Sequence, residues 1–117
     1  MSALPNIVAK SGHPYAIFAQ KELDDTLLNI PEHMRDVVKQ YLLYGLPPGS
    51  FAQSVLANDF ATAIYRADHL NRDRLSDYAA LLHGLPQDAW GSYDRVREWS
   101  YAGGLVGYIT DLERAKP

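Results

Sequence analysis

The sequence predicts a mainly α protein, a compact bundle of four or five short helices with an extended or short-strand N-terminal arm. Three observations predict this fold. After residue 30, apolar residues recur at three- and four-residue spacing, the period of one buried helix face. Glycine and proline punctuate these stretches at intervals that fit short helices. The chain has 117 residues, 47% hydrophobic and 21% charged, a composition typical of one globular domain.

The first 30 residues differ from the rest because they show no helical period. The run YAIFA at 15–19 follows the turn-like SGHP and contains residues that favour strands. We therefore expect an arm over residues 1–30, extended or with a short strand, and a helical domain over residues 31–117.

The clearest helix begins at Pro31, a residue favoured in the first helical turn, and is expected to end at Gly45. A second helix follows the diproline elbow LPPG at 46–49. Ser50 and Gln53 there fit a capping box, in which each side chain bonds a free N–H of the first turn. Asn58 and Asp59 are expected to form a joint, after which Asp59 caps a further turn.

A third helix is predicted over about 72–83, where Gly84 and Pro86 end it. A second Gly-Leu-Pro connection then leads to a helix that opens at Gly91 and Ser92. Residues 105–112 form either a short amphipathic helix or a docked tail. The periodicity predicts this core: Met34, Val37, Val38, Tyr41, Leu42, Phe51, Val55, Leu56, Ile64, Leu75, Tyr78, Leu82, Val96 and Trp99.

The composition excludes several classes of function. Because the chain has no cysteine, it has no disulfide, thiolate nucleophile, zinc ribbon or iron–sulfur cluster. Its net charge of −3 provides no general attraction to DNA, RNA or an anionic membrane. No apolar run approaches the length of a membrane span, and the start MSALPNIVAK is unlike a secretory signal. We expect a soluble, cytoplasmic protein.

The motifs IPEHMRD, YGLPPGSF, VLANDF, RADHLNR and WGS…VREW…GGL occur in this order over residues 30–105. In this order they resemble a family of small proteins encoded by bacteriophages, prophages and mobile elements. The resemblance implies a phage context and a small accessory protein that acts by binding in the bacterial host. It implies no catalytic residue and no reaction.

Two Gly-Ser helix starts, Gly49-Ser50 and Gly91-Ser92, are candidate anion sites. A helix N-terminus presents unsatisfied N–H groups and partial positive charge, and a preceding glycine lets an anion approach the backbone. We interpret the diproline elbow as a device that aims the Ser50 helix start at a negatively charged group. The alternative is ordinary capping, because serine is a favoured N-cap residue.

Basic side chains would complete a phosphate site, since a guanidinium binds phosphate oxygens in pairs. The candidates are Arg35, Lys39, Arg66 and Arg72, with Arg74, Arg95 and Arg97 as further basic residues that could contribute. The alternative is a solvated surface of salt bridges, because the run RADHLNRDR alternates acidic with basic residues.

Eight tyrosines and two tryptophans are many for this length. Aromatic side chains with a polar tip are enriched in interfaces and stack on bases, although each one alone also fits ordinary packing. The candidates at the margins of the buried stripes are Tyr44, Tyr65, Trp90, Tyr93 and Tyr101. They predict an interface with a partner or a ligand, and self-association as a symmetric dimer or ring.

No residue pattern indicates a metal site, a cofactor or a catalytic group. The four histidines are scattered, and no two of them have the spacing that would place two metal ligands on one helix face. We therefore expect a non-enzymatic binding protein. The leading hypothesis is a phage counter-defence protein that sequesters an anionic, nucleotide-type ligand. The alternative is an inhibitor that binds a host enzyme or defence complex, and a small nucleotide phosphodiesterase ranks third.

Overall fold

The computed structural model describes residues 4–116, in which helices and turns account for all regular secondary structure. The helices are α1 (Asn6–Ala9), α2 (Pro14–Lys21), α3 (Leu23–Thr26), α4 (Glu32–Tyr44), α5 (Ser50–Leu56), α6 (Phe60–Arg66), α7 (His69–Arg72), α8 (Leu75–Gly84), α9 (Tyr93–Ala102) and α10 (Gly104–Ala115). Short 3-10 turns lie at Leu27–Asn29 and Gln87–Ala89. The mainly α prediction is confirmed, but ten helices replace the expected four or five.

The predicted extended or strand-like arm is wrong for the described part of residues 1–30, which forms α1, α2 and α3. Pro14 occupies the first turn of α2, and the His13 side chain accepts a hydrogen bond from the Tyr15 N–H at 3.1 Å. These start signals outweigh the strand preference of the aromatic run. Val8 and Ala16 are fully buried, because α1 and α2 pack against α10.

The core surrounds α4, whose inner face packs against α10. Tyr41 is completely buried, and its hydroxyl donates to the Ala89 carbonyl at 2.7 Å. Trp99 is 2% exposed, and its Nε1 donates to the Leu42 carbonyl at 3.1 Å. These two long-range bonds join α4 to the region of α9. Most of the predicted core is buried as expected, and Met34, Val37 and Leu75 are half-buried.

Ile64 is the predicted core residue that lies at the surface, with 45% of its area exposed. The joint between α5 and α6 explains the error. Asn58 adopts a left-handed conformation with φ of 61°, and Asp59 caps α6 by accepting from the Thr62 N–H. The joint is present as expected, but it sets the phase of α6 so that Ala63 and Ala67 face the core and Ile64 does not.

The predicted capping box at Ser50 is also wrong. Helix α5 begins one residue earlier than expected, because the Gly49 carbonyl accepts from the Gln53 N–H at 2.9 Å. Gly49 is therefore the N-cap, and no side chain caps the helix. At the second Gly-Ser start, the Ser92 hydroxyl accepts from the Arg95 N–H, which is the ordinary capping given as the alternative above.

Gly45 and Gly104 hold the end of α4 against the start of α10. Both have positive φ, 74° and 66°, which favours glycine. A Cβ added at Gly45 would lie 2.7 Å from the Gly104 nitrogen, and one added at Gly104 would lie 2.6 Å from the Tyr44 nitrogen. This close backbone approach fixes the chain just before the diproline elbow and places the elbow beside α9.

Candidate functional site

The elbow forms one wall of a surface groove of about 310 Å³, and one face of α9 forms the other. Five of the lining residues lie on one face of α9 and span about two helical turns. The others are the two elbow prolines and one residue of α5. The lining residues are Pro47, Pro48, Gln53, Tyr93, Val96, Arg97, Ser100 and Tyr101. We call this feature the elbow groove.

The α9 wall follows from helical spacing. Residues three, four, seven and eight positions apart share a helix face, and this face of α9 turns toward the elbow. Val96 is buried at the base of the groove, whereas Tyr101 is 83% exposed at its rim. The elbow groove thus combines a buried aliphatic base with aromatic edges that are open to solvent.

A hydrogen bond to α6 fixes Tyr93 in the elbow groove. Its hydroxyl donates to Asp59 Oδ2 at 2.7 Å, while Asp59 Oδ1 accepts from the Thr62 N–H at 3.2 Å. These bonds hold the pKa of the Asp59 carboxyl below its usual value, and the bond from Tyr93 has the largest effect. The same carboxylate therefore caps α6 and orients one aromatic wall of the groove.

Four lining side chains have hydrogen-bond donors that no group in the described part of the chain uses. The guanidinium of Arg97 bonds Asp94 Oδ1 through Nη2 at 2.6 Å, which uses one of its five N–H donors. Within residues 4–116, the side chains of Gln53, Ser100 and Tyr101 form no hydrogen bond. Arg97 is the only charged residue that lines the elbow groove in the described part of the chain.

The predicted cations do not converge on the Ser50 helix start. Arg66 lies there, but its Nη1 donates to the Ser50 carbonyl at 3.2 Å and to the buried Ser54 hydroxyl at 2.8 Å. Arg35 donates to the carbonyls of Ile30 and Leu28 at 3.1 and 3.0 Å. Both guanidinium groups therefore bind the backbone of this chain.

Lys39 and Arg72 lie elsewhere on the surface. Lys39 pairs with Asp24 Oδ1 at 2.7 Å and so attaches α3 to α4. Arg72 is exposed at the end of α7, and its side chain makes no hydrogen bond within the described part of the chain. These residues support the alternative of a salt-bridged, solvated surface more than a single phosphate site.

The two Gly-Ser starts differ in their surroundings. Gly49 and Ser50 are exposed, and no heavy atom lies within 4 Å of a Cβ added at Gly49. Gly91 instead donates its N–H to the Leu56 carbonyl at 2.8 Å, and the Arg95 side chain lies over it. The first start is open to solvent, and the second is part of the packing between α5 and α9.

Tyr44 and Trp90 are half-buried and pack against the core instead of presenting a free aromatic face. The Trp90 ring meets His83 edge to face, with ring centroids 5.8 Å apart. Its Nε1 is buried and has no hydrogen-bond partner among residues 4–116. The exposed aromatic residues of the elbow groove are Tyr93 and Tyr101.

A second, more open cleft of about 710 Å³ lies between the start of α4 and α7. Beside it, His33 Nε2 lies 3.2 Å from Asp68 Oδ2, and the Asp68 carboxylate also accepts from the Asn71 N–H at 2.8 Å. The bond from Asn71, followed by the charge of a protonated His33, lowers the pKa of Asp68. The lining mixes acidic and basic side chains, so the cleft favours neither an anionic nor a cationic ligand.

Sequence reasoning identified the elbow, two tyrosines of the groove and Arg97 as one of several candidate cations, but missed Gln53 and Ser100 as site residues. The i, i+4, i+7, i+8 spacing of Tyr93, Arg97, Ser100 and Tyr101 was the available signal. That spacing places them on one face of α9, but only the fold shows that this face meets the elbow.

Residues 4–116 contain neither a cluster of metal ligands nor a helix that could span a membrane. No group of three or more acidic, histidine or cysteine side chains is placed to hold a metal ion there. Among the same residues, no helix has the length and apolar character needed to cross a membrane. The chain matches no protein-family model, no curated protein and no solved structure at a significant level.

Proposed function

We propose that this chain is a non-enzymatic binding protein whose elbow groove receives a polypeptide from a host enzyme or defence complex. The observation that supports the proposal is the composition of the groove. Exposed tyrosine edges, a buried aliphatic base and uncommitted donors lie together between two fixed walls. Tyrosine, arginine and a buried apolar centre are typical of interface residues that dominate binding energy.

The resemblance to phage-encoded accessory proteins supplies the biological setting of the proposal. In that setting the protein works in the cytoplasm of the bacterial host and counters a defence system by occupying one of its components. The modest net charge of −3 fits a partner that is recognised by local contacts and not by a long-range field.

Sequestration of a nucleotide-type ligand is the second candidate, and among the predicted cations it depends on Arg97. Arg35, Lys39 and Arg66 bind groups of this chain, so they are poorly placed to grip a phosphate. In the elbow groove, Arg97 lies beside exposed tyrosine edges that offer a base a stacking surface. Under this second candidate, the nucleotide therefore binds in the elbow groove and not at the Ser50 helix start.

Affinity capture from a bacterial host tests the first candidate against a matched control. Tyr101 and Tyr65 are both highly exposed, 83% and 89%, but only Tyr101 lines the elbow groove. We expect the wild-type protein and Tyr65→Ala to retain one host polypeptide in stoichiometric amount, and Tyr101→Ala to lose it. Equal retention by all three proteins would contradict the proposed surface.

A thermal-shift panel of mono-, di- and cyclic nucleotides tests the second candidate. A ligand that binds only the folded protein adds about 2.7 kcal/mol when present at about 100 times its dissociation constant. A shift with wild-type protein that disappears in Arg97→Gln would favour sequestration over polypeptide binding. Absence of any shift, together with capture of a host polypeptide, would favour the first candidate.

A further inference from the structure

We infer that the elbow groove receives an extended, proline-containing segment of the partner that carries an acidic side chain. The inference rests on the proposed function, since it names the chemistry of the polypeptide that the groove binds. It follows from the donors, the dimensions and the charge of the groove, which together discriminate among peptide conformations.

The uncommitted donors of the groove favour a ligand whose backbone carbonyls are free. Gln53, Ser100, Tyr101 and Arg97 all line the groove with donor groups that have no partner or only one in residues 4–116. An α-helix bonds its own carbonyls internally, so a bound helix would leave these donors unused. A polyproline II segment has no internal hydrogen bonds and presents its carbonyls to its surroundings.

Addition of a β-strand, the other extended mode of recognition, needs a sheet edge in the receiving protein. The structure contains no strand over residues 4–116. An extended ligand at this site therefore binds through side chains of the groove, as polyproline II segments do in grooves lined by aromatic rings.

The dimensions of the aromatic wall match a short segment of that kind. Tyr93 and Tyr101 are eight residues apart on α9, a separation of about 12 Å at 1.5 Å per helical residue. At 3.1 Å per residue, about four residues of polyproline II cover this distance. Such a segment places a proline ring near each tyrosine and lies over the buried Val96 between them.

The positive charge of Arg97 favours an acidic side chain on the bound segment. Arg97 is the only charged lining residue in the described part of the chain, and its bond to Asp94 is exposed on both sides. Exposed pairs of this kind contribute little stability. A carboxylate on the ligand can therefore share the guanidinium, which offers donors in a planar fork.

The elbow backbone and the Tyr93 side chain are held in place before any ligand arrives. Pro47 and Pro48 restrict the elbow backbone, and the close contact of Gly45 with Gly104 anchors its start. Tyr93 is held by its bond to Asp59. Since little order has to be created on binding, a flexible proline-containing segment meets a receptor that loses little entropy.

Fluorescence anisotropy with synthetic peptides tests the inference directly on the full chain. The probe is a labelled peptide of about ten residues, rich in proline and with one central glutamate, long enough to cover the groove. One control peptide replaces the prolines by alanine, and another replaces the glutamate by lysine. We expect each control to bind at least about tenfold more weakly than the probe.

Variants of the protein locate the binding site. Tyr101→Ala should weaken binding of the probe by about thirtyfold, as expected for the loss of a large aromatic contact, whereas Tyr65→Ala should leave it unchanged. Arg97→Gln should remove the preference for glutamate over lysine and retain the preference for proline. Equal binding of all peptides, no binding, or an unaffected Tyr101→Ala variant would overturn the inference.

Two further outcomes are informative. One distinguishes failure of this inference from failure of the proposed function, and the other shows that a second copy of the chain occupies the groove. If a host polypeptide is lost by Tyr101→Ala while no proline peptide binds, the inference fails and the proposed function stands. If the protein alone sediments as a dimer that Tyr101→Ala dissociates, a second copy occupies the groove, and the inference is overturned.

Discussion

At the scale of single residues, hydrogen-bonded aromatic side chains join distant parts of the chain. Trp99 and Tyr41 are buried, and each donates to a backbone carbonyl of a different element. Tyr78 donates in the same way to the buried Asn71 side chain at 2.6 Å. Each bond satisfies a polar group that burial would otherwise leave unpaired, so these residues combine packing with specificity.

Trp99→Ala should destabilise the protein by about 3 to 5 kcal/mol, because the substitution leaves a cavity and an unpaired Leu42 carbonyl. The measurement is chemical denaturation, with Tyr101→Ala as the control on the same helix. Tyr101 is 83% exposed, so its removal should change the free energy of unfolding by less than about 0.5 kcal/mol. Similar losses in both variants would contradict the assigned core.

Asp59 gives the stability a defined pH dependence. Its pKa is lowered in the folded protein, first by the Tyr93 hydroxyl and then by Thr62. A lowered folded pKa contributes stability above the unfolded pKa of about 4 and loses it as pH falls through the folded value. We expect Asp59→Asn to reduce the acid-induced loss of stability below about pH 4. Identical acid denaturation profiles would exclude this role.

Residue-level prediction from the sequence succeeded where periodicity and burial agree, as for Tyr41 and Trp99. It failed at Ile64, because the joint at Asn58 and Asp59 was predicted but the helical phase that follows the left-handed Asn58 was not. The sequence predicted Arg35 and Arg66 as available cations. Their carbonyl partners are invisible in the sequence, since carbonyls are present at every position.

At the scale of elements, caps explain why the chain divides into more helices than periodicity indicated. His13, Asp59, Asp68 and Ser92 each accept from a backbone N–H at the start of a helix. The sequence predicted the caps at Asp59 and Ser92. It missed the cap at His13, because histidine is not among the favoured cap residues.

The junction of α4 and α10 depends on a glycine pair. Gly104→Ala should destabilise the protein by about 2 kcal/mol or more, since the new Cβ would overlap the backbone of α4 at a left-handed residue. Gly49→Ala is the matched control, because its Cβ would enter open space and its φ is −62°. Thermal unfolding of both variants gives the comparison, and a stable Gly104→Ala protein would disprove the close contact.

At the scale of the whole molecule, exposed apolar residues remain outside the elbow groove. Ile7, Ile17, Leu28 and Tyr65 are exposed in the 48 × 27 × 20 Å molecule. Single exposed apolar residues are common on monomers, so self-association stays a prediction from the aromatic composition.

Light scattering over a range of concentrations tests the self-association prediction. We expect a mass above the 13.1 kDa of one chain, and the same mass for Tyr101→Ala, because the groove is reserved for the partner. A mass of one chain at every concentration would refute self-association. It would leave the partner-binding role of the groove intact.

Hydrogen–deuterium exchange of the protein with its captured partner tests the central claim most directly. The account predicts slower exchange on binding in the segments 46–53 and 93–101, which form the two walls of the elbow groove. It predicts unchanged exchange in the segments 31–36 and 70–74, which line the second cleft. Protection confined to the second cleft, with no change at the elbow or α9, would contradict it.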